Sequence, residues 1–366
     1  MHFGLTPAQD AVRQRIHGFL SEVSPPADVR RLMDTPTGYD PGVWERMADD
    51  AGMLGLNLPV SLGGSGLGWV EAGVALEEAG AALLCAPLLA TVTAAAVIDA
   101  TSDTTLADEV LPDLASGRRI ATLAVAERAG RWEEDGVATR ALASPAGAWR
   151  LEGEKSYVVD GCVADVIVVA ARHDDGVGLF LVDADAPGVS RAPLATVDRT
   201  RKQARLRLHA TPARPLAGVP LATAVELAAV ALACEQVGGA QHCLDAAVAY
   251  ARRRVQFGRL IGSFQAIKHL CAAMLLELES ARSAALYATH AAARGGADLP
   301  EAAAVAQVCC SEAYVRVATD SLHVHGGLGF TWDHDAHLYF KRARSSAQLF
   351  GDARHHREQL AQRLGL

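Results

Sequence analysis

Arg254-Val255-Gln256-Phe257-Gly258-Arg259-Leu260-Ile261-Gly262-Ser263-Phe264-Gln265 is the stretch on which the fold turns. It lies between two long helical patterns. On its N-terminal side, Leu221 to Arg254 contains no proline and carries a nearly continuous apolar face, which at 1.5 Å per residue predicts a helix about 50 Å long. On its C-terminal side Ser263 to Arg294 reads the same way, and Pro300 to Val324 follows. Long helices with flat apolar faces form antiparallel bundles and often bury those faces across subunits.

Upstream the texture changes twice. Residues 117–217 hold short β-like runs: Ile120 to Val125, Ala164 to Ala171, and Val177 to Val182 after the turn residues His173-Asp174-Asp175-Gly176. Arg205, Arg207 and His209 alternate with Leu206 and Leu208, as on a half-buried strand. A small barrel or sandwich is the natural closure. Residues 1–116 are again helical. Thr6-Pro7 offers an N-cap and a first-turn proline ahead of Val12, Ile16 and Leu20 on one face. Val43 to Leu54 and Val70 to Leu84 are two further predicted helices, joined through a flexible loop at Ser61 to Gly66. The expected fold is mainly α with a central β domain: an N-terminal helical domain (1–116), a middle β-barrel (117–217) and a C-terminal four-helix bundle (218–366).

Composition narrows the function. The 366 residues are 50% hydrophobic, enough for two or three cores, and the net charge of -8 gives no drive toward nucleic acid or an acidic membrane surface. Seven scattered cysteines without C-x-x-C spacing read as small buried hydrophobes in a reducing compartment. Gly80 to Ile98 is uncharged and long enough to span a membrane. Pro87 interrupts it, however, and Glu77, Glu78 and Asp99 flank it, so it predicts a buried helix, a turn and a second helix. The first ten residues, MHFGLTPAQD, lack the basic and apolar regions of a signal peptide, and a cytoplasmic protein is expected. His334, His337, His355 and His356 are expected on exposed helix faces, and no metal site is expected.

The quoted stretch resembles the R-x-Q-F-G-x-x-I-x-x-F-Q signature of the acyl-CoA dehydrogenase family. His325-Gly326-Gly327-Leu328-Gly329-Phe330, about 70 residues on, is similar to that family's G-G-x-G-(F/Y) element. Gly63 to Gly66 and Leu151 to Lys155 are weaker matches to its Y-G-G-x-G and L-x-G-x-K segments, so the resemblance spans the chain. It implies an FAD-dependent oxidoreductase of lipid or sterol catabolism. Such an enzyme dehydrogenates an acyl-CoA thioester at its α,β-bond, passes electrons to an electron-transfer flavoprotein or similar acceptor, and works as a homo- or heterotetramer. Arg254 resembles the arginine that reaches across a dimer interface to the pyrophosphate of the neighbouring FAD. A planar guanidinium suits that task because it gives paired donors to phosphate oxygens. Gln256 and Phe257 belong to the same element, Phe264 and Gln265 match adenosine contacts, and His323 stands where the family has glutamine. Gly326 and Gly327 would admit the cofactor against bare backbone.

The departures bear on catalysis. The family reaction removes an α-proton with a carboxylate while flavin N5 accepts a hydride from the β-carbon. Most members carry the base in a Y-E-G-T element; here the corresponding residues are Leu349-Phe350-Gly351-Asp352, with Phe350 at the glutamate position. Other members carry it on the first long C-terminal helix, where alignment on Val237-Gly238-Gly239 puts Ala228. Three readings stay open: Asp352 is the base, Glu235 is the base, or the chain has none and completes the FAD site of a catalytic homologue. The family's flavin-facing T-E-P-x-A-G-S-D loop corresponds to Val125 to Gly130, and its W-(I/V)-T segment to Tyr157-Val158-Val159. The flavin-bonding threonine is thus lost at Val159. The first reading is an FAD-dependent acyl-CoA dehydrogenase; the alternative is a non-catalytic partner subunit of a heteromeric one.

Overall fold

The computed structural model describes residues 4–145 and 147–366, so the reading of residues 1–3 lies outside them. Six helices come first: α1 (Pro7–Val23), α2 (Pro26–Leu32), α3 (Pro41–Asp49), α4 (Trp69–Ala81), α5 (Leu88–Asp99) and α6 (Thr104–Ala115). Seven strands follow: β1 (Ala121–Ala124), β2 (Arg140–Ala143), β3 (Trp149–Val159), β4 (Val166–His173), β5 (Gly176–Asp183), β6 (Val189–Pro193) and β7 (Gln203–Pro215). Then come α7 (Leu221–Ala251), the two-residue strands β8 (Val255–Gln256) and β9 (Arg259–Leu260), and α8 (Gln265–Arg294), α9 (Leu299–His325), α10 (Ala336–Ser346) and α11 (Ala353–Arg363). Contacts group the chain into two compact units, one of Met1–Arg30, Gly73–Leu84 and Ala229–Leu366, the other of Arg31–Ala72 and Cys85–Ala228.

In the second unit the strands close on themselves. β4 pairs with β2, β2 with β3, β3 with β7, β7 with β5 and β5 back with β4, while β1 and β6 extend the sheet from β4 and β7. The expected hairpin is β4–β5, in register from Val166↔Asp183 to His173↔Gly176. On β7, Leu206 and Leu208 are buried and Arg205, Arg207 and His209 exposed, as their alternation predicts. The helix expected at Val43 to Leu54 is shorter. Asp40 caps it and Pro41 opens it, but it ends at Asp49, and the chain reverses at Gly52 in the left-handed region (φ 62°). The segment read as a flexible loop is tied down by four backbone bonds. Gly64 N–H donates to the Pro59 carbonyl (3.0 Å), Ser65 to Gly55 (2.8 Å), Gly66 to Leu58 (2.9 Å) and Leu67 to Leu56 (3.0 Å). α5 is buried from Leu88 to Ile98, so the apolar run after Pro87 forms core.

In the first unit α1 starts with the reciprocal cap that Thr6 predicts: Gln9 N–H donates to Thr6 Oγ1 (3.3 Å) and Thr6 N–H to Gln9 Oε1 (2.9 Å). The segment of α4 in this unit crosses α7 at bare backbone. A Cβ on Gly238 would run into the Glu77 carbonyl, and one on Gly80 into the Glu235 carbonyl. Around α9 pack the long helix α8 and the shorter α10 and α11. α7 is the one helix among the described residues long and apolar enough to cross a membrane, and 83% of its apolar window is buried inside the fold. Burial corrects the histidine expectation: His337 and His356 are 7% and 3% exposed, and His334 and His355 are half-buried.

Candidate functional site

Beyond α7 the chain forms an arm. Val255 pairs with Leu260 and Gln256 with Arg259, leaving a two-residue turn at Phe257-Gly258 with φ of 53° and 74°. Positive φ at both central residues is the turn type that matches strand twist in tight hairpins, and it normally selects Asn-Gly. A phenylalanine there carries backbone strain and, at 91% exposed, buries nothing. Phe264 meets Phe257 edge-on with centroids 6.1 Å apart, and the Arg259 guanidinium lies over the Phe264 ring at 4.0 Å. Arg254, Gln256 and Gln265 are exposed along the same arm. The hairpin was not foreseen; Phe-Gly between polar residues was its only local signal.

The glycine element closes α9. Gly326 takes φ 62° and its N–H donates to the His323 and Leu322 carbonyls. A Cβ on Gly326 or Gly327 would meet no heavy atom within 4 Å, so both backbones face open space. His323 is largely exposed, its Nδ1 3.8 Å from Asp320. The two motifs meet through rings: Tyr250, one turn before Arg254, lies 4.7 Å from His325, the residue before Gly326. An exposed guanidinium, stacking rings and an unobstructed glycine backbone fit the phosphate and adenosine end of FAD, offered outward from the chain.

The loop that resembles the family's flavin-facing segment is built differently. Glu127 Oε1 accepts from Ala138 N (2.9 Å), Thr139 N (2.7 Å), Thr139 Oγ1 (2.8 Å) and Lys155 Nζ (2.9 Å). Lys155, fully buried, also donates to the Val125 carbonyl at 2.9 Å. Burial pulls the Lys155 pKa down to about 8, against the pull of Glu127. Burial works against the Glu127 carboxylate, but Thr139 and Lys155 hold its pKa below the usual value. This brace, which the weak L-x-G-x-K match only hinted at, fixes the loop. A register shift between Lys155 and Val158 then turns Tyr157 outward at φ 58°, and its hydroxyl donates to the Arg128 carbonyl (3.4 Å). Val159 is buried.

Neither position matched by resemblance to the family's base carries a carboxylate. Ala228 is fully buried, and Phe350 is 4% exposed at φ 58°. The turn around Phe350 is pinned. Gln307 Nε2 donates to the Leu349 carbonyl (3.1 Å) and, more weakly, to that of Gly351 (3.4 Å), and His356 Nε2 donates to the Phe350 carbonyl (3.0 Å). Burial pushes the His356 pKa down to about 4, keeping that ring neutral. Asp352 is the N-cap of α11, its Oδ1 accepting from His355 N–H at 2.8 Å. Glu235 lies in a buried ion pair with Arg342 (2.8 Å), with side chains 8% and 4% exposed. Both candidate carboxylates therefore have structural bonds. Removal of the cap by Asp352→Ala is expected to cost about 1 kcal/mol in denaturant unfolding, and Asp352→Asn, which keeps a capping oxygen, about 0.5 kcal/mol or less. Equal losses in the two variants would show that the cap is not what the side chain contributes.

Family models match along nearly the whole chain: "Acyl-CoA dehydrogenase, N-terminal domain" over residues 6–118, the middle domain over 122–209 and the C-terminal domain over 219–365. The chain belongs to the acyl-CoA dehydrogenase family. The family consists of FAD-dependent oxidoreductases, and the helical, β and helical organisation described above is its fold. Acyl-CoA dehydrogenase IpdE2 of Mycobacterium tuberculosis is 33% identical over 353 residues, 96% of each chain. Among solved structures, the ChsE4-ChsE5 complex from Mycobacterium tuberculosis superposes with a TM-score of 0.92 at 30% identity, covering 100% of this chain and 99% of the other. A variant of the Tcur3481-Tcur3483 steroid acyl-CoA dehydrogenase superposes with a TM-score of 0.92 at 31% identity, covering 98% of each chain.

Proposed function

We propose that this chain is the partner subunit of a heteromeric acyl-CoA dehydrogenase, supplying the nucleotide-side grip of a shared FAD site while a homologous subunit supplies the base. The observation that carries this reading is the fate of the carboxylates. Phe350 and Ala228 stand where the family keeps its base, Asp352 caps a helix, and Glu235 is paired with Arg342. The outward arm and the open glycine turn, by contrast, retain what a pyrophosphate and an adenosine need. FAD, when bound, accepts the hydride from the β-carbon of the thioester. This chain's own part is to hold the nucleotide with Arg254, Gln256, Phe264 and Gln265 and to admit it at Gly326-Gly327. One neighbour named as a steroid enzyme and another named as a two-component complex favour a CoA thioester of steroid type and an unlike partner.

Two preparations test this. The chain purified alone should be colourless. Co-expressed with a homologue that keeps the glutamate, it should give a yellow complex that bleaches with acyl-CoA. Arg254→Ala in this subunit should weaken FAD retention by roughly 10- to 100-fold, the effect of losing a charge-assisted bond. A solitary chain that is yellow and bleaches with acyl-CoA overturns the reading and returns Asp352 and Glu235 to contention.

A further inference from the structure

The arginine arm and the glycine turn hang from different helices, and a run of tilted ring contacts joins them. Tyr250 of α7 lies over His325 (4.7 Å, 35°), and His325 lies against His334 (4.3 Å, 46°). Hydrogen bonds settle both tautomers. His325 Nδ1 is 2.8 Å from the Ser321 carbonyl, which only accepts, so Nδ1 carries the proton. His334 Nδ1 is 3.1 Å from the Ala336 amide, which only donates, so that nitrogen is bare. Ala336 is the first residue of α10, and Gly326 to Asp335 is the whole connection between α9 and α10.

We propose that Tyr250, His325 and His334 are positioning residues that hold the Gly326-Gly327 turn against the Arg254 end of α7, and that the clasp works only with both imidazoles neutral. As a device for nucleotide binding it rests on the function proposed above; as a clasp it stands on the ring geometry alone. A proton on His334 Nδ1 would turn an acceptor toward a donor and place a cation at the N-terminus of α10, where the helix dipole opposes it. A second proton on His325 would go to Nε2, in a ring only 4% exposed. The surroundings offer little relief. Asp335, the carboxylate beside His334, is bonded to Arg30 of α2 at 2.7 Å, and Arg30 itself opposes a charged His334. From α7, His242 faces the cluster with Asp245 near it, and from α10 come His337 and Lys341. Burial lowers the pKa values of His325 and His334 below the ordinary 6.5, and His334 lowers that of His325 further. A depressed histidine stabilises the folded turn fully above its unfolded value, and that contribution is lost as pH falls through the lower folded value.

Hydrogen exchange of the full chain, read on peptides spanning residues 326–336, tests the clasp from about pH 7.5 down to about pH 5, the window in which histidine titrates. With intrinsic rates corrected for pH, the wild-type chain should lose protection in this segment by roughly tenfold or more, an opening change of about 1.4 kcal/mol. His334→Asn keeps an acceptor for the amide two residues on and removes one of the two titrating rings, so it should lose several-fold less protection than the wild type, with only His325 left to titrate. Wild-type protection that does not change with pH, or equal loss in wild type and His334→Asn, overturns the proposal. A parallel measurement of FAD release by the co-expressed complex separates the two readings. Opening at acid pH with no release of FAD leaves the clasp standing and removes the nucleotide from Gly326-Gly327.

Discussion

Gly238→Ala should yield almost no folded protein, while Gly327→Ala should fold normally and lose cofactor. The contrast follows from what each added methyl group meets. At Gly238 it would enter the Glu77 carbonyl and lie 2.9 Å from the Ala81 amide, backbone atoms of a crossing helix that cannot move without separating α4 from α7. Interiors packed like crystals do not absorb such an overlap, and mutations of this kind cost roughly 4–5 kcal/mol or more, against about 5–15 kcal/mol for a whole domain. At Gly327 the methyl group meets nothing within 4 Å, and the backbone is not left-handed. Its stability should stay within about 1 kcal/mol of wild type, the scale on which surface substitutions act. Soluble yield and circular dichroism read the first variant; FAD content of the co-expressed complex reads the second. If Gly327→Ala retained full FAD, no cofactor would lie against that backbone.

Arg342→Met should destabilise the chain by about 3–5 kcal/mol, because it takes the guanidinium away from the Glu235 carboxylate in a buried site. Replacing both members, as Glu235→Leu with Arg342→Met, should recover most of that loss, since well-packed apolar side chains replace a buried pair at little net cost. The cycle should therefore be strongly non-additive in denaturant unfolding. It also decides a functional matter. If Glu235 were the base, the double variant would be stable and inert in the assembled enzyme; if the pair is structural, the double variant assembles and turns over. Turnover close to wild type is the expected result.

How far this could be read from residues alone depended on the range over which each signal acts. The long helices follow from periodicity and the absence of proline, and Thr6-Pro7 announced an N-cap, because those signals are local; the return bond from Gln9 came only with the structure. The flexible loop expected at Ser61 to Gly66 is tied down because the chain folds back on its own preceding turn: glycine suits mobility and close packing equally, and the neighbouring Gly55, Leu56, Leu58 and Pro59 carbonyls decide between them. His337 and His356 were placed outside because polar residues usually lie there. Neutral imidazoles can be buried, and His356 is one that closes a turn from within. That Phe350 and Ala228 stand at the positions matching the family's base was legible in the sequence. The bonds of Asp352 and Glu235 were not, since Arg342 is 107 residues from Glu235.

The Phe257 arm has a consequence for supply. A large apolar ring held out in water at the tip of a strained turn is a poor bargain for a solitary molecule, and two such molecules would tend to bring their tips together. In the heteromer proposed above, the partner would receive this tip, and the two chains would then be needed in step: a surplus of this subunit would carry an unmet surface, and a deficit would leave the partner incomplete. Matched dosage becomes a demand written into one hairpin.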